Sequence, residues 1–595
     1  MAKKYIDVMD TTFRDGFQSV FGGRVLMEDF FPAVEAAKDA GITHFEFGGG
    51  ARFQSLFFYL QENAFEMMDK FREIVGPDAN LQTLARGINT VMLDTGSREL
   101  VDLHAKMFAK HGTTTIRNFD ALNDVQNLEY SAECIKKYGL NHEVVVTLMD
   151  LPPGCEGAHD VPFYEKTLRQ ILDSGVPHDS ICFKDASGTS SPQKVYETIQ
   201  MARKLVGNDT HIRLHTHETA GVSVACYLAA LEAGADGIDL AASPVSGGTS
   251  QPDILTMLHA VKGKNYDLGG LDIEKVLKYQ EVLTDCLGEY FMPPEATQVS
   301  PLIPFSPMPG GALTANTQMM RDNGTLDKFP EVIKAMREVV EKGGYGTSVT
   351  PVSQFYWQQA YANVMFGPWK QIAPGYGKMV LGYFGKTPVE PDAEIVALAA
   401  EKLKMEPTTE NPLDIADRDE KKKISVWKQR LEMEGLEASE ENIFIAAACD
   451  EKGIAFLKGD SPLNVRKNET TQGENSMANA TGNYTVVVDG QKFNVSIAEG
   501  DADIQVTPAS NNSSDVSSSV STSGEATDVP ATVNGNVWKI LVNEGEKVEK
   551  DQKIMILEAM KMEIDINAPV AGTISKITVG ANEAVDEGQT LAIIG

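Results

Sequence analysis

The sequence predicts a (β/α)₈ barrel of the TIM type, followed by a helical extension, a flexible linker and an all-β barrel-sandwich domain. Three observations carry that expectation. Over about the first 250 residues, short β-branched or apolar runs alternate with longer amphipathic stretches. Polar residues gather at the C-terminal end of one run after another. The final stretch of the chain repeats itself.

The eight runs are 5–12, 42–49, 81–87, 113–120, 142–150, 180–188, 211–219 and 237–248, with helical patterns such as "MEDFFPAVEAAKDAG" between them. Eight strand–helix units suit closure into a barrel. A doubly wound sheet is the alternative, but the first run lacks a G-x-G-x-x-G turn. The polar run ends include Arg14 and Asp15, Arg86, Lys184 and Asp185, and His215 and His217. Barrel active sites are built on that face. These readings place the barrel at 1–254 and a helical extension at 255–475.

Residues 476–507 contain two alternating runs around Asp489-Gly490, a hairpin signal. Residues 508–529 form a linker: the stretch from Pro508 to Pro530 holds eight serines in 23 residues and almost nothing large and apolar. In the last segment, 530–595, "VNGNVWKILVNEGEKVEKDQKIMIL" aligns with "VAGTISKITVGANEAVDEGQTLAII" at a constant offset of 37. Two copies of one β unit imply a pseudo-two-fold sandwich, because one copy could not close a core. Lys561 falls between the copies, at a hairpin tip.

Composition narrows the function classes. Hydrophobic content of 42% and charged content of 23% are those of a globular protein. A net charge of -31 argues against nucleic-acid binding and against docking on anionic lipid. The six scattered cysteines contain no Cys-x-x-Cys pair and suit a reducing compartment. With no signal peptide pattern and no apolar run long enough to span a bilayer, the expected location is the cytoplasm.

His215-Thr216-His217 carries the strongest local signal. Residues two apart on a strand face the same way, so both imidazoles point into the barrel mouth. Two histidines and a carboxylate from another strand end make a divalent-metal site, for zinc, manganese or cobalt. The pattern favours Asp15 as the third ligand.

"EAMKMEIDINAPVAG" closely resembles the attachment site of biotinyl carrier domains, which implies biotin on Lys561. "DTTFRDGFQS", "LARG", "CFKDASG", "RLHTHETAG", "GGTSQP" and "PMPGGALT" resemble, in order, the carboxyltransferase domain of pyruvate carboxylase and of the oxaloacetate decarboxylase α subunit. The resemblance implies metal ligands Asp15, His215 and His217, with Lys184 bridging as a carbamate formed from CO₂. It assigns Arg14, Gln18 and Arg86 to the oxo acid and its enolate, and Thr314 to a proton relay. The chain departs from the family at "GGGARFQ", where Gly48 and Gln54 replace a tryptophan and an aspartate, and at Ala186-Ser187. Loss of the carboxylate at Gln54 is expected to alter the barrel mouth.

The implied activity is carboxyl transfer between N1-carboxybiotin on Lys561 and pyruvate or oxaloacetate, as the B subunit of a two-subunit pyruvate carboxylase. The alternative is the α subunit of a sodium-pumping oxaloacetate decarboxylase. An aldolase-type metal-dependent lyase or synthase is more remote. Neither an ATP-grasp pattern nor a Walker-type loop is visible. Charging biotin is therefore expected to fall to a separate biotin carboxylase subunit, or the partners are membrane decarboxylase subunits. A biotin protein ligase and at least a second copy of the chain are further expected partners, and nucleic acid is not. The Ser-rich linker supplies travel, with an r.m.s. span of about 25 Å. Intact-mass measurement after co-expression with a biotin ligase should show one adduct, absent in Lys561→Arg.

Overall fold

The computed structural model describes residues 3–468, 482–488, 491–497, 527–532, 535–559, 562–580, 583–585 and 588–595. Lys561 and residues 508–526 of the Ser-rich linker therefore lie outside the described residues, while the linker's expected last residues, Thr527 to Val529, instead belong to a strand of the sandwich. Of two compact units, the larger contains the chain up to Lys467 and the smaller contains most of the chain from Asn468 onward.

In the larger unit all eight expected strands form. They are β1 (Lys4–Asp10), β2 (His44–Gly49), β3 (Asn80–Ala85), β4 (Thr115–Asn118), β5 (Asn141–Thr147), β6 (Ser180–Asp185), β7 (His211–Thr216) and β8 (Gly237–Leu240). They pair in parallel in sequence order. β8 joins β1 from Asp7↔Gly237 to Asp10↔Leu240, and β1 joins β2 at Asp10↔Phe45, so the barrel closes. Strands end early where a side chain captures the backbone. The Asp185 carboxylate accepts from the amides of Ser187 (3.2 Å), Gly188 (2.9 Å) and Ser190 (2.6 Å), which turns the chain out of β6.

One strand was not legible. β9 (Tyr266–Leu268) lies within the segment expected to be helical and runs parallel to β1 at Lys4–Ile6. Helix α1 (Met27–Asp39) follows the first strand, and α2 (Ile273–Leu287) packs beside it on the barrel exterior. Asp272 caps α2 by accepting from Glu274 and Lys275 amides. Three further helices matter below: α3 (Gly310–Asp322), α4 (Val352–Phe366) and α5 (Glu440–Lys458), whose path breaks at Asp450. Phe444 of α5 packs its ring against Phe53, Phe65 and Phe108, tying this late helix to the barrel's outer layer. Among the described residues no helix is long and apolar enough to cross a membrane.

In the smaller unit, β10 (Gly482–Val488) and β11 (Gln491–Ile497) form the expected antiparallel hairpin. The sandwich has two four-stranded sheets. β12 (Thr527–Pro530), β14 (Lys547–Val548), β17 (Gly572–Ile577) and β19 (Thr590–Ile594) make one. β13 (Gly535–Ile540), β15 (Lys553–Ala559), β16 (Met562–Asn567) and β18 (Ala584–Val585) make the other. The register shifts at Val537/Lys539 in β13 and at Ile574/Lys576 in β17. Those positions differ by the repeat offset, so the two copies share a bulge as well as a sequence.

Gly49 ends β2 with φ 82°, and a Cβ there would lie 2.4 Å from the Leu84 carbonyl oxygen. Gly49→Ala should therefore destabilise the barrel by about 2 kcal/mol or more. Gly76→Ala, also at positive φ but with open space around it, should cost less. Thermal unfolding of both variants separates the backbone effect from the steric one.

Candidate active site

The site begins with the turn after β1. Asp10 accepts from the Thr12 amide (2.9 Å), from the Thr12 hydroxyl and from the Tyr279 hydroxyl (2.8 Å). Burial pushes its carboxyl up to about 6. This anchor starts a single π-helical turn, Thr12–Gly16, which presents Arg14 and Asp15 inward. Wide turns of this kind recur at functional sites. The "DTTFRDG" motif thus contains both a turn-maker and the groups it aims.

Opposite, Lys184 of β6 and His215 of β7 are register partners, and His217 follows the end of β7. All are buried, as is Asp15. Asp15 Oδ2 lies 3.3 Å from Nε2 of His215 and 3.3 Å from Nε2 of His217. The two Nε2 atoms are 3.1 Å apart. Lys184 Nζ sits 2.7 Å from His215 Nε2 and 3.9 Å from Asp15 Oδ2. Among the described residues, Asp15, His215 and His217 form the group of side chains placed so that they could hold a metal ion.

The surroundings fit a divalent cation. His215 Nδ1 faces Asp239 Oδ2 at 2.7 Å, and His217 Nδ1 faces the Thr249 carbonyl at 2.7 Å. Each outer nitrogen therefore carries the proton, and each Nε2 turns a lone pair inward. Ligand histidines are ordinarily held this way. Burial alone would raise the Asp15 carboxyl, but Arg14 and the two histidines hold it well below the usual range. Burial lowers Lys184, and the neighbouring arginines add to this.

A narrow cleft opens on the cluster. Arg14, Asp15, Gln18, Arg86, Lys184 and His217 supply its polar wall. Leu84, Phe119, Ala186, Pro309, Gly311, Ala312, Val349 and Thr350 supply the rest. Arg14 is compensated: Nη2 donates to Glu46 Oε1 at 2.6 Å and lies 3.2 Å from Asp15 Oδ2. Its Nη1 is 3.5 Å from Gln18 Oε1. Arg86 differs. Its Nη1 donates to the carbonyls of Val91 (2.6 Å) and Met92 (2.9 Å), its Nε has no partner, and among the described residues no carboxylate pairs with it. Burial, with repulsion from Arg14, lowers its pKa to about 9.

The structure thus brings together Arg14, Asp15, Gln18, Arg86, Lys184, His215 and His217. Thr314, on the second turn of α3, is buried nearby and directs its hydroxyl to Thr249 Oγ1 at 3.4 Å. From α3 and its cap, the cleft wall is Pro309, Gly311 and Ala312. Gln54 is not at the barrel mouth: its amide donates to the Ala448 carbonyl of α5 at 2.7 Å. That departure fastens a helix.

Three residues received no role from the sequence alone. Gln251 is fully buried, and its amide donates at 3.0 Å to Asp15 Oδ2 and approaches His217 Nε2 at 3.0 Å. Thr11 fixes its carbonyl oxygen at 2.7 Å. Asp239 orients His215, and Glu46 holds Arg14. Gln251 sits in the quoted "GGTSQP" motif, so a signal existed. Asp239 and Glu46 lie inside apolar strands, where only their charge marks them.

Comparisons with known proteins agree with this geometry. The HMGL-like family model matches residues 5–282, the conserved carboxylase domain 303–505, and the biotin-requiring enzyme domain 526–594. The B subunit of pyruvate carboxylase from Methanocaldococcus jannaschii is 30% identical over 560 residues, covering 94% of each chain. The methylmalonyl-CoA carboxyltransferase 5S subunit of Propionibacterium freudenreichii is 30% identical over 76% of this chain and 87% of its own. The carboxyl transferase domain of Rhizobium etli pyruvate carboxylase, solved with pyruvate, superposes with a TM-score of 0.70 at 25% identity, covering 77% of this chain and 78% of that one. A closed barrel with an inward carboxylate–histidine cluster, joined to a β-sandwich carrier, defines a metal-assisted group-transfer enzyme. The chain belongs to the biotin-dependent carboxyltransferase family, whose cofactors are covalent biotin and a divalent metal ion.

Asp239→Asn should lower divalent-metal affinity by about 10- to 100-fold, since it weakens the acceptor that orients His215. His217→Ala should abolish tight binding. Calorimetric titration of metal into stripped protein checks both.

Proposed function

We propose that this chain is the carboxyltransferase component of a two-subunit pyruvate carboxylase, moving a carboxyl group between biotin on Lys561 and pyruvate or oxaloacetate. The observation that carries the oxo-acid reading is Arg86. A buried guanidinium without a carboxylate partner among the described residues, on the wall of a cleft beside a metal cluster, is costly unless an anion arrives. A planar carboxylate matches its fork. The full-length coverage of relatives named as the B subunit of pyruvate carboxylase supports the two-subunit assignment.

Each residue then has a task. Arg86 binds the substrate carboxylate. Arg14, held by Glu46, and Gln18 face the carbonyl and stabilise the enolate oxygen with fixed positive charge and an amide donor. Asp15, His215 and His217 would hold the divalent metal, with Lys184 joining them as a carbamate. The metal, when bound, supplies Lewis-acid polarisation of the carbonyl. As a carbamate Lys184 changes from a buried cation to an anionic ligand, which removes the cost of desolvating an ammonium. Thr314 is the proton relay to and from the substrate methyl carbon. A neutral hydroxyl suits transfer between two weakly basic centres in a dry pocket. The apolar wall of Leu84, Phe119, Ala186 and Val349 excludes water from the enolate.

In this reading a separate biotin carboxylase charges the carrier, a biotin protein ligase attaches the cofactor, and the chain works in the cytoplasm as at least a dimer. The purified chain with free biotin should consume oxaloacetate without ATP. Arg86→Gln should reduce kcat/KM by about 10²-fold or more, because the neutral amide cannot pair with the carboxylate. An unchanged KM in that variant would remove the assignment. A biotin carboxylase among the co-purifying proteins would identify the two-subunit enzyme, and membrane decarboxylase subunits there would overturn it.

A further inference from the structure

The cleft holds one polar side chain that neither the ligand cluster nor the oxo-acid contacts use. Thr350 lines it beside Val349. Among the described residues its hydroxyl has no hydrogen-bond partner, whereas Arg14, Gln18, Lys184 and His217 are each engaged within the site.

The segment carrying Thr350 is firmly strapped. The Thr347 amide donates to the Ala121 carbonyl at 2.8 Å, and the Thr347 hydroxyl meets the Thr147 hydroxyl at 2.8 Å. The Ser348 hydroxyl donates to the Pro307 carbonyl at 2.6 Å. Thr350 is thus presented to the cleft on a fixed support, directly before α4.

A second donor surface lines the same cleft. Helix α3 starts there with Pro309 as its cap residue and no side-chain cap. A helix leaves its first amides without intrahelical acceptors, and Gly311 and Ala312 of that first turn line the cleft. Two glycines allow this close approach. A Cβ on Gly310 would lie 1.6 Å from the Thr249 carbonyl oxygen, and one on Gly311 would lie 3.3 Å from Gln18 Nε2. The buried, partly unpartnered Arg86 on the same wall is independent evidence that the cleft receives negative charge.

We propose that the Thr350 hydroxyl, with the first turn of α3, binds the carboxyl group in transit: the C4 carboxylate of the 2-oxo dicarboxylic acid. This rests on the carboxyl-transfer reading above. Cleavage breaks the C3–C4 bond with its electron pair left on C3, which takes up through Thr314 the proton given up by the accepting nitrogen, and C4 departs as CO₂ to that nitrogen of the carrier. Arg86 is occupied by the C1 carboxylate throughout. The second carboxylate therefore needs its own donors, and uncharged ones suit a group that must lose its charge as it leaves. A cation there would favour the bound ground state over the outgoing neutral CO₂.

The test compares oxaloacetate with oxamate, which mimics pyruvate and has no C4. For the biotinylated, metal-loaded full chain, Thr350→Val should raise the KM for oxaloacetate by about 10- to 100-fold, the range for a hydrogen bond to a charged group. Competitive inhibition by oxamate should stay within about twofold. Thr350→Ser should recover most of the loss, and metal content should match wild type in both variants. Equal weakening of oxaloacetate and oxamate would place Thr350 on the shared C1–C2 part and overturn the proposal. An unaffected Thr350→Val would overturn it as well. If wild type itself consumes no oxaloacetate, the carboxyl-transfer reading fails and this assignment falls with it. Wild-type turnover with an indifferent Thr350→Val sinks the assignment alone.

Discussion

Three lone pairs meet in the barrel mouth, and most of the surrounding structure exists to make that meeting tolerable. Asp15 Oδ2 and the two Nε2 atoms of His215 and His217 lie within 3.3 Å of one another in a buried place. Electron-rich atoms repel at that separation unless a proton or a cation lies between them. Lys184 and the Gln251 amide contribute hydrogens at the edge, while Asp239 and Thr249 hold the imidazoles so that neither can turn away. The arrangement prefers a small divalent ion, and the preference is fixed before any ion arrives.

That preference depends on charge below the site. Arg117 donates to Glu143 and to Asp239, and Arg213 donates to Asp239 and to Asp7. The series runs through the barrel interior, where apolar layers are the more usual filling. Removing one member would strand a buried charge, at about 3–5 kcal/mol. Both arginines hold Asp239 well below the usual carboxylate range even though burial acts first to raise it. The acceptor for His215 is thus kept anionic by residues that never touch the cleft. Interior charge in this barrel serves orientation, while Phe13, Phe17, Phe30, Phe45 and Phe71 pack ring against ring within the larger apolar core.

What the sequence disclosed follows from how far each signal reaches along the chain. Strand rhythm and the His215–His217 pair are local periodicities, and both appear in the structure as expected. Gln251 contacts Asp15 across 236 positions, and Glu46 contacts Arg14 across 32. No local pattern encodes such a contact, so these residues needed coordinates. β9 was missed because three residues pairing to a barrel edge leave no alternation to detect. The "GGGARFQ" departure looked like a change at the mouth. Arg52 instead donates inward to the carbonyls of Gly23 and Val25, and Gln54 reaches α5. Side chains on a short helix leave in several directions, and a linear motif does not say which.

The carrier unit provides its own control on how much of a sequence a fold requires. Its two copies share an offset of 37 in sequence and the same bulge in each, at Trp538 and at Ser575. A bulge inserts one extra residue and increases local twist, which lets short strands curl into a sandwich. Since serine fills one bulge and tryptophan the other, the backbone irregularity is what the fold demands, and the side chain there is free to vary. Trp538 is 43% exposed, as expected for a residue whose size the core does not use. The buried positions behave differently. Val542 and Val579, and Val548 and Val585, keep one residue type across the copies, and all four are buried. Other buried pairs change type but stay apolar, Val537 with Ile574, Ile554 with Leu591 and Met555 with Ala592, so the core demands apolar side chains and the bulge demands only a backbone path.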